Sequence, residues 1–183
     1  MTSTSDAPQD PWHDIRPYQD DEVATTLTRL AEDPELLSAL TRYRLPRLSR
    51  MMPRLSRTLA SWAIKRETRD VTSVTAFQQR IAAYMQRMLK TSTDDFRVDG
   101  LDRLDPDTAY LFIGNHRDIS LDPAFVNYAL YLAGRNTVRI AIGDNLLKKP
   151  YVTDLMRLNK SFIVPRSARG KRAMLQAYHK LSS

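Results

Sequence analysis

Apolar positions set the first division of the chain. Val23, Leu27, Leu30 and Ala31 recur at helical spacing behind Asp20-Asp21-Glu22, three acids suited to the positive end of a helix dipole. Leu36, Leu37 and Leu40 predict a second short helix after Pro34. Val74, Phe77, Ile81, Met85 and Met88 fall on one stripe and predict an amphipathic helix over 74–89. Between them lies a tandem repeat, PRLSR at 46–50 and again at 53–57. The seven-residue offset returns each residue to nearly the same helical face. Pro46 and Pro53 turn the repeat into two short pieces with a kink. Residues 20–93 therefore read as an all-helical module, and 1–19, with Pro8, Pro11 and Pro17, as a disordered or loosely held leader.

The period changes after residue 94. Phe96–Val98 predicts a short alternating strand, and Tyr110–Ile113 is a continuous apolar run of the kind found in buried parallel strands. A helix over Pro123–Ala133, a strand over Val138–Ile142, a helix over Tyr151–Leu158, a strand over Ser161–Val164 and a helix over Ala168–Leu181 follow. Strands alternating with helices make βαβ units. The expected fold is α/β: an all-helical N-terminal module, then over 94–183 a partial, mostly parallel sheet flanked by helices. The strand at 110–113 should neighbour that at 138–142 through a right-handed crossover. Since the succession stops at a helix, the expectation is a chain truncated at its C-terminal side.

Charge adds a second layer. Residues 1–41 hold nine acids against Arg16 and Arg29, whereas 42–69 hold nine Arg or Lys against Glu67. Residues 91–134 are acidic, and 135–183 are basic, with Asp144 and Asp154 their only acids. Two basic zones point to phosphate-bearing partners, which could be anionic lipid, a phosphorylated substrate or nucleic acid; a solvated basic face is the plain alternative. In 42–69 the arginines are interleaved with Leu45, Leu48, Met51, Met52, Leu55, Leu59 and Trp62. That composition suits a segment lying in a headgroup region, against the alternative of a helix packed on its own domain. Base-stacking aromatics are scarce there, which disfavours nucleic acid. No run of eighteen apolar residues exists, and MTSTSDAPQDPWHD lacks a signal-peptide pattern, so contact with a bilayer is expected from its side.

The absence of cysteine removes thiolate catalysis and cysteine-ligated metals. His13, His116 and His179 show no zinc-ligand spacing, and no metal site is expected. His13 and His179 read as surface residues. His116 differs in position. It stands in Gly114-Asn115-His116-Arg117-Asp118-Ile119-Ser120-Leu121-Asp122-Pro123, between a predicted strand end and a helix start. In open α/β sheets that crevice binds ligands. A neutral imidazole takes a proton from a hydroxyl, and a carboxylate fixes its tautomer. Asp118 and Asp122 are both placed to serve, although carboxylates at such a position also cap helices.

NHRDISLDP resembles the first block of the glycerophospholipid acyltransferase family, usually His, four residues, Asp. Gly143-Asp144-Asn145-Leu146-Leu147 and Asn159-Lys160-Ser161-Phe162-Ile163-Val164-Pro165-Arg166 resemble its second conserved region. The leader run IRPYQDDEV resembles a bacterial subgroup described as 1-acylglycerol-3-phosphate acyltransferase-like. The similarity covers roughly 94–183 and has two departures. His116 and Asp122 are one residue further apart than usual, so Asp122, which precedes Pro123 as in the family block, is the favoured partner and Asp118 the alternative. The family's later Glu-Gly block is absent because the sequence stops before it, so an inactive fragment is one expectation.

The resemblance implies an O-acyltransferase in phospholipid synthesis. His116 would be the general base, the donor an acyl thioester on coenzyme A or acyl carrier protein, and the acceptor a lysophospholipid such as lysophosphatidic acid. Arg166 would bind the acceptor phosphate, with Lys160 adding attraction or standing as a solvated lysine. It implies no bound cofactor and a peripheral position on the cytoplasmic face of the inner membrane, against an anionic surface. A non-catalytic basic module binding lipid or nucleic acid is the competing expectation.

Overall fold

The computed structural model describes residues 10–115, 118, 121–166 and 175. Its order is α1 (Asp20–Glu32), α2 (Pro34–Arg44), α3 (Pro46–Met51), α4 (Pro53–Glu67), α5 (Val74–Ser92), α6 (Leu121–Leu132), β1 (Ile140–Gly143), α7 (Pro150–Leu158) and β2 (Ser161–Val164). β1 and β2 are parallel neighbours, so the fold is α/β with N-terminal helices. The chain divides into two compact units: residues 1–77 with 141–183, and 78–140. The first unit joins both ends of the sequence because α7 packs on α1 and β2 bonds to the leader at Ile15.

Local chemistry explains the helix boundaries of the first unit. Glu22 accepts the Gln19 N–H (2.8 Å) at the start of α1. Asp33 accepts the Leu36 N–H (2.8 Å) ahead of Pro34, which opens α2. Pro46 and Pro53 open α3 and α4, and the residues before them, Leu45 and Met52, share nearly one backbone conformation (φ −133° and −137°). A residue preceding proline is pushed out of the helical region, so each copy of the repeat begins with an elbow. Ser73 caps α5 through the Ala76 N–H (3.1 Å), and Asp20 takes the Val74 N–H (2.8 Å). Val23, Leu27, Leu30, Ala31, Leu36, Leu37, Val71, Val74, Phe77 and Leu158 are buried here, matching the predicted stripes of α1 and α2.

Residues 10–18 depart from the loosely held leader expected from three prolines. The Ile163 N–H of β2 donates to the Ile15 carbonyl (2.8 Å), and the Tyr18 N–H to the Arg157 carbonyl (3.2 Å). Arg157, buried on α7, lies 4.0 Å from the Tyr18 ring centroid and donates to the carbonyls of Arg16 (2.8 Å) and His13. Tyr18 donates its hydroxyl to Asp154 (2.7 Å), and Arg29 grips both oxygens of that carboxylate at 2.7 and 2.8 Å. Burial and this bond to Asp154 push the Tyr18 phenol up from its ordinary range. Proline forbids helix and interior strand, but it leaves carbonyls free to accept. Arg157 exploits that freedom.

The second unit is built on α5 and α6. Ala82, Met85, Leu89 and Tyr128 form its core, with Phe96 and Phe125 packed against them at ring-centroid distances of 5.6 and 5.7 Å from Phe96 to Phe125 and Tyr128. Two expected strands are absent. Residues 96–98 and 110–113 carry no ladder among the described residues. All four side chains of the run 110–113 are exposed, Tyr110 and Phe112 less so than Leu111 and Ile113, which are 86% and 88% exposed. Both this run and Thr137–Arg139 line a cleft of about 590 Å³ instead of pairing. An apolar run announces burial, but pairing is a tertiary matter that no local pattern specifies.

Candidate active site

The two motif segments lie in different units, and each is assembled by its own contacts. In the first, His116, Arg117, Ile119 and Ser120 lie outside the described residues. Asp118 and Asp122 flank the start of α6 and face each other through the backbone. The Leu121 N–H donates to Asp118 Oδ1 (2.7 Å), and the Asp118 N–H donates to Asp122 Oδ2 (2.9 Å). The Asp122 N–H also reaches the Asp118 carbonyl at 3.3 Å. This is reciprocal capping. Each carboxylate satisfies a donor that the first turn would otherwise leave orphaned. Asp118 is exposed, Asp122 half-buried. The arrangement fixes the chain from Asp118 into α6, on the C-terminal side of the predicted base.

The second segment gathers at the carboxyl ends of β1 and β2. Asp144, just beyond β1, accepts the Arg166 N–H through Oδ1 at 2.9 Å. Arg166, just beyond β2, is exposed at its tip while its stem covers Gly143. A β carbon at Gly143 would stand 2.4 Å from Asn145 Oδ1 and 2.7 Å from Arg166 Cδ. Gly143 has φ −71°, so glycine is required here for space and not for conformation. Lys160 occupies the turn between α7 and β2 with φ 61°, the left-handed position that follows many helices. Its backbone role is thus defined independently of its charge.

Sequence reasoning therefore names Arg166 and Lys160 but passes over what holds them. Gly143 and Asp144 stand in the quoted motif without an assigned part. Arg157 and Asp154, which tie β2 and α7 to the leader, read from sequence only as helix positions. One signal is present: Asp144 and Asp154 are the only acids in an otherwise basic stretch, and each binds an arginine.

A family model described as Acyltransferase matches residues 95–183. Residues 95–183 are thus an acyltransferase domain of the glycerophospholipid acyltransferase family. Both motif segments lie inside the matched span. No curated protein and no solved structure matches the chain. Membership makes acyl transfer from a donor to an acceptor the general chemistry of this acyltransferase. Among the described residues, no helix is long and apolar enough to cross a membrane.

Proposed function

We propose that this acyltransferase moves a fatty acyl group from a thioester, on coenzyme A or acyl carrier protein, to the hydroxyl of a phosphate-bearing glycerolipid such as lysophosphatidic acid. The reading rests above all on one observation: the family match over 95–183 contains the His116 and Arg166 blocks together and in order. In this proposal His116 removes the acceptor proton, the resulting oxygen attacks the thioester carbonyl, and the carbon–sulfur bond breaks. The departing thiolate takes the proton back from the imidazolium. No covalent enzyme intermediate and no bound cofactor are needed.

Asp122 is the proposed partner of His116, with Asp118 the alternative; their mutual capping supports a fixed position for both carboxylates. Arg166 is proposed to hold the acceptor phosphate, helped at longer range by Lys160. The pinned backbone and stem of Arg166 support this, since a guanidinium whose root is fixed loses less freedom on binding. The protein would act as a peripheral enzyme of a bacterial cytoplasmic membrane face, within phospholipid synthesis.

The discriminating experiment compares acceptors with and without the phosphate, using acyl-coenzyme A and acyl carrier protein as donors. Transfer that prefers the phosphorylated acceptor, and loses that preference in Arg166→Ala, fits the proposal. Equal use of both acceptors by the wild type rejects the assigned substrate class.

A further inference from the structure

Around the two proline elbows, the first unit exposes apolar and cationic side chains together. Tyr43, Met51 and Trp62 are 82%, 80% and 59% exposed, and Leu45, Met52, Leu55 and Leu59 are exposed as well. Arg47, Arg50 and Arg54 lie among them, exposed, and no described carboxylate pairs with these or with Arg42 or Arg57. Clustered exposed apolar groups mark an interaction surface, and the arginines among them give that surface a preference for an anionic partner.

A cleft makes the pattern specific. Arg42, Arg57, Ser38, Thr41, Ser49 and Ser56 line about 330 Å³ among α2, α3 and α4. Each hydroxyl donates to a carbonyl of its own helix: Ser38 to Pro34, Thr41 to Leu37, Ser49 to Pro46 and Ser56 to Pro53. The donors left for an anion are therefore the guanidinium groups. Arg42 and Arg57 each spend Nε on their own helix, on the Ser38 and Pro53 carbonyls at 3.2 Å, which fixes the stems. No described acceptor engages their terminal nitrogens. Two guanidinium forks facing one cleft match a phosphate.

We infer that the α2–α4 face docks on a bilayer containing anionic phospholipid, with Met51 and Met52 entering the acyl boundary and a lipid phosphate held between Arg42 and Arg57. The inference goes beyond acyl transfer and does not depend on it. Charge complementarity selects an anionic partner, and the exposed apolar groups select a bilayer over nucleic acid. A polynucleotide would satisfy the arginines and leave Met51, Met52 and Leu55 in water. The tandem repeat supplies the geometry: each PRLSR copy contributes one elbow with an apolar residue, Leu45 or Met52, and two arginines.

The test is co-sedimentation of the protein with phosphatidylcholine vesicles, with and without phosphatidylglycerol, at low and high ionic strength. Binding is expected only with phosphatidylglycerol, falling with salt to a residual carried by apolar insertion. Arg42→Gln with Arg57→Gln should weaken binding roughly 25-fold, about fivefold per arginine. Met51→Ser with Met52→Ser should abolish the salt-resistant residual while leaving the salt-dependent part. Arg42→Gln alone sits at an exposed position and carries the test if the double variant misfolds. Binding indifferent to phosphatidylglycerol and to these substitutions would overturn the inference. So would tight binding of duplex DNA with none to vesicles.

Discussion

Arg166 lies across Gly143, its Cδ 2.7 Å from the point where a β carbon would stand. The contact joins the ends of the two parallel strands and aims the proposed phosphate ligand. Gly143→Ala should therefore act on Arg166 before it acts on the fold. Forcing the arginine into a poorer rotamer costs about 1 kcal/mol, so the acceptor KM should rise about fivefold with kcat nearly unchanged. Steady-state kinetics of Gly143→Ala beside Arg166→Ala check this. Arg166→Ala should lose about 2–3 kcal/mol of charge-assisted binding. A Gly143→Ala variant with wild-type KM would detach Gly143 from the site.

The leader carries a pH signature. The Arg16 hydrogen bond holds the Asp10 carboxyl below its ordinary value. Burial pushes the Glu22 carboxyl up, but hydrogen bonds from Arg16 and the Gln19 N–H bring it below its ordinary value on balance. Groups whose folded pKa is depressed add stability that is complete above the unfolded pKa and lost as pH falls through the folded one. Docking of residues 10–18 should thus be constant from neutral pH to about pH 5 and weaken below about pH 4. Trp12 fluorescence in a Trp62→Phe background reports it. A transition near neutral pH would contradict this assignment.

Lys160 separates a backbone role from a charge role. A side chain in the left-handed region costs about 1 kcal/mol relative to glycine, so Lys160→Gly should stabilise the protein by up to about that amount. If Lys160 also attracts the acceptor phosphate, the variant's acceptor KM should rise at low ionic strength and converge on wild type at high salt. Urea denaturation and kinetics at two salt concentrations separate the effects. A salt-independent rise in KM would indicate direct contact with the acceptor.

How far the sequence carried the fold depended on the range of the forces involved. Helices α1, α2 and α5, the proline-opened pair α3 and α4, and the strands β1 and β2 were legible because caps, prolines and apolar stripes act within a few residues. Tyr110–Ile113 was not, since four apolar residues promise burial without naming a partner strand. The leader was illegible for a related reason. Its anchor is Arg157, far away in sequence, and it binds carbonyl oxygens that no side-chain pattern reveals. At the candidate site, the sequence names Arg166 and Lys160 by motif position and Asp118 and Asp122 by spacing, but not the contacts that hold them. Gly143 was quoted but silent, because its function is the absence of a side chain where Arg166 must pass.

The central claim is that His116 is the general base of acyl transfer, oriented by Asp122 in preference to Asp118. Asp118 and Asp122 cap α6 together, and asparagine keeps an accepting side-chain oxygen, so either Asp→Asn substitution should cost little stability, and stability cannot tell them apart. Turnover can. The most direct measurement is acyl transfer to a lysophosphatidic acid acceptor by His116→Ala, with Asp122→Asn and Asp118→Asn beside it, each checked for its unfolding midpoint and acceptor binding. The account predicts that His116→Ala loses transfer while folding and binding the acceptor normally, that Asp122→Asn resembles it, and that Asp118→Asn is milder. A more damaging Asp118→Asn would reverse the choice of partner, and near-normal turnover by His116→Ala would contradict the mechanism itself.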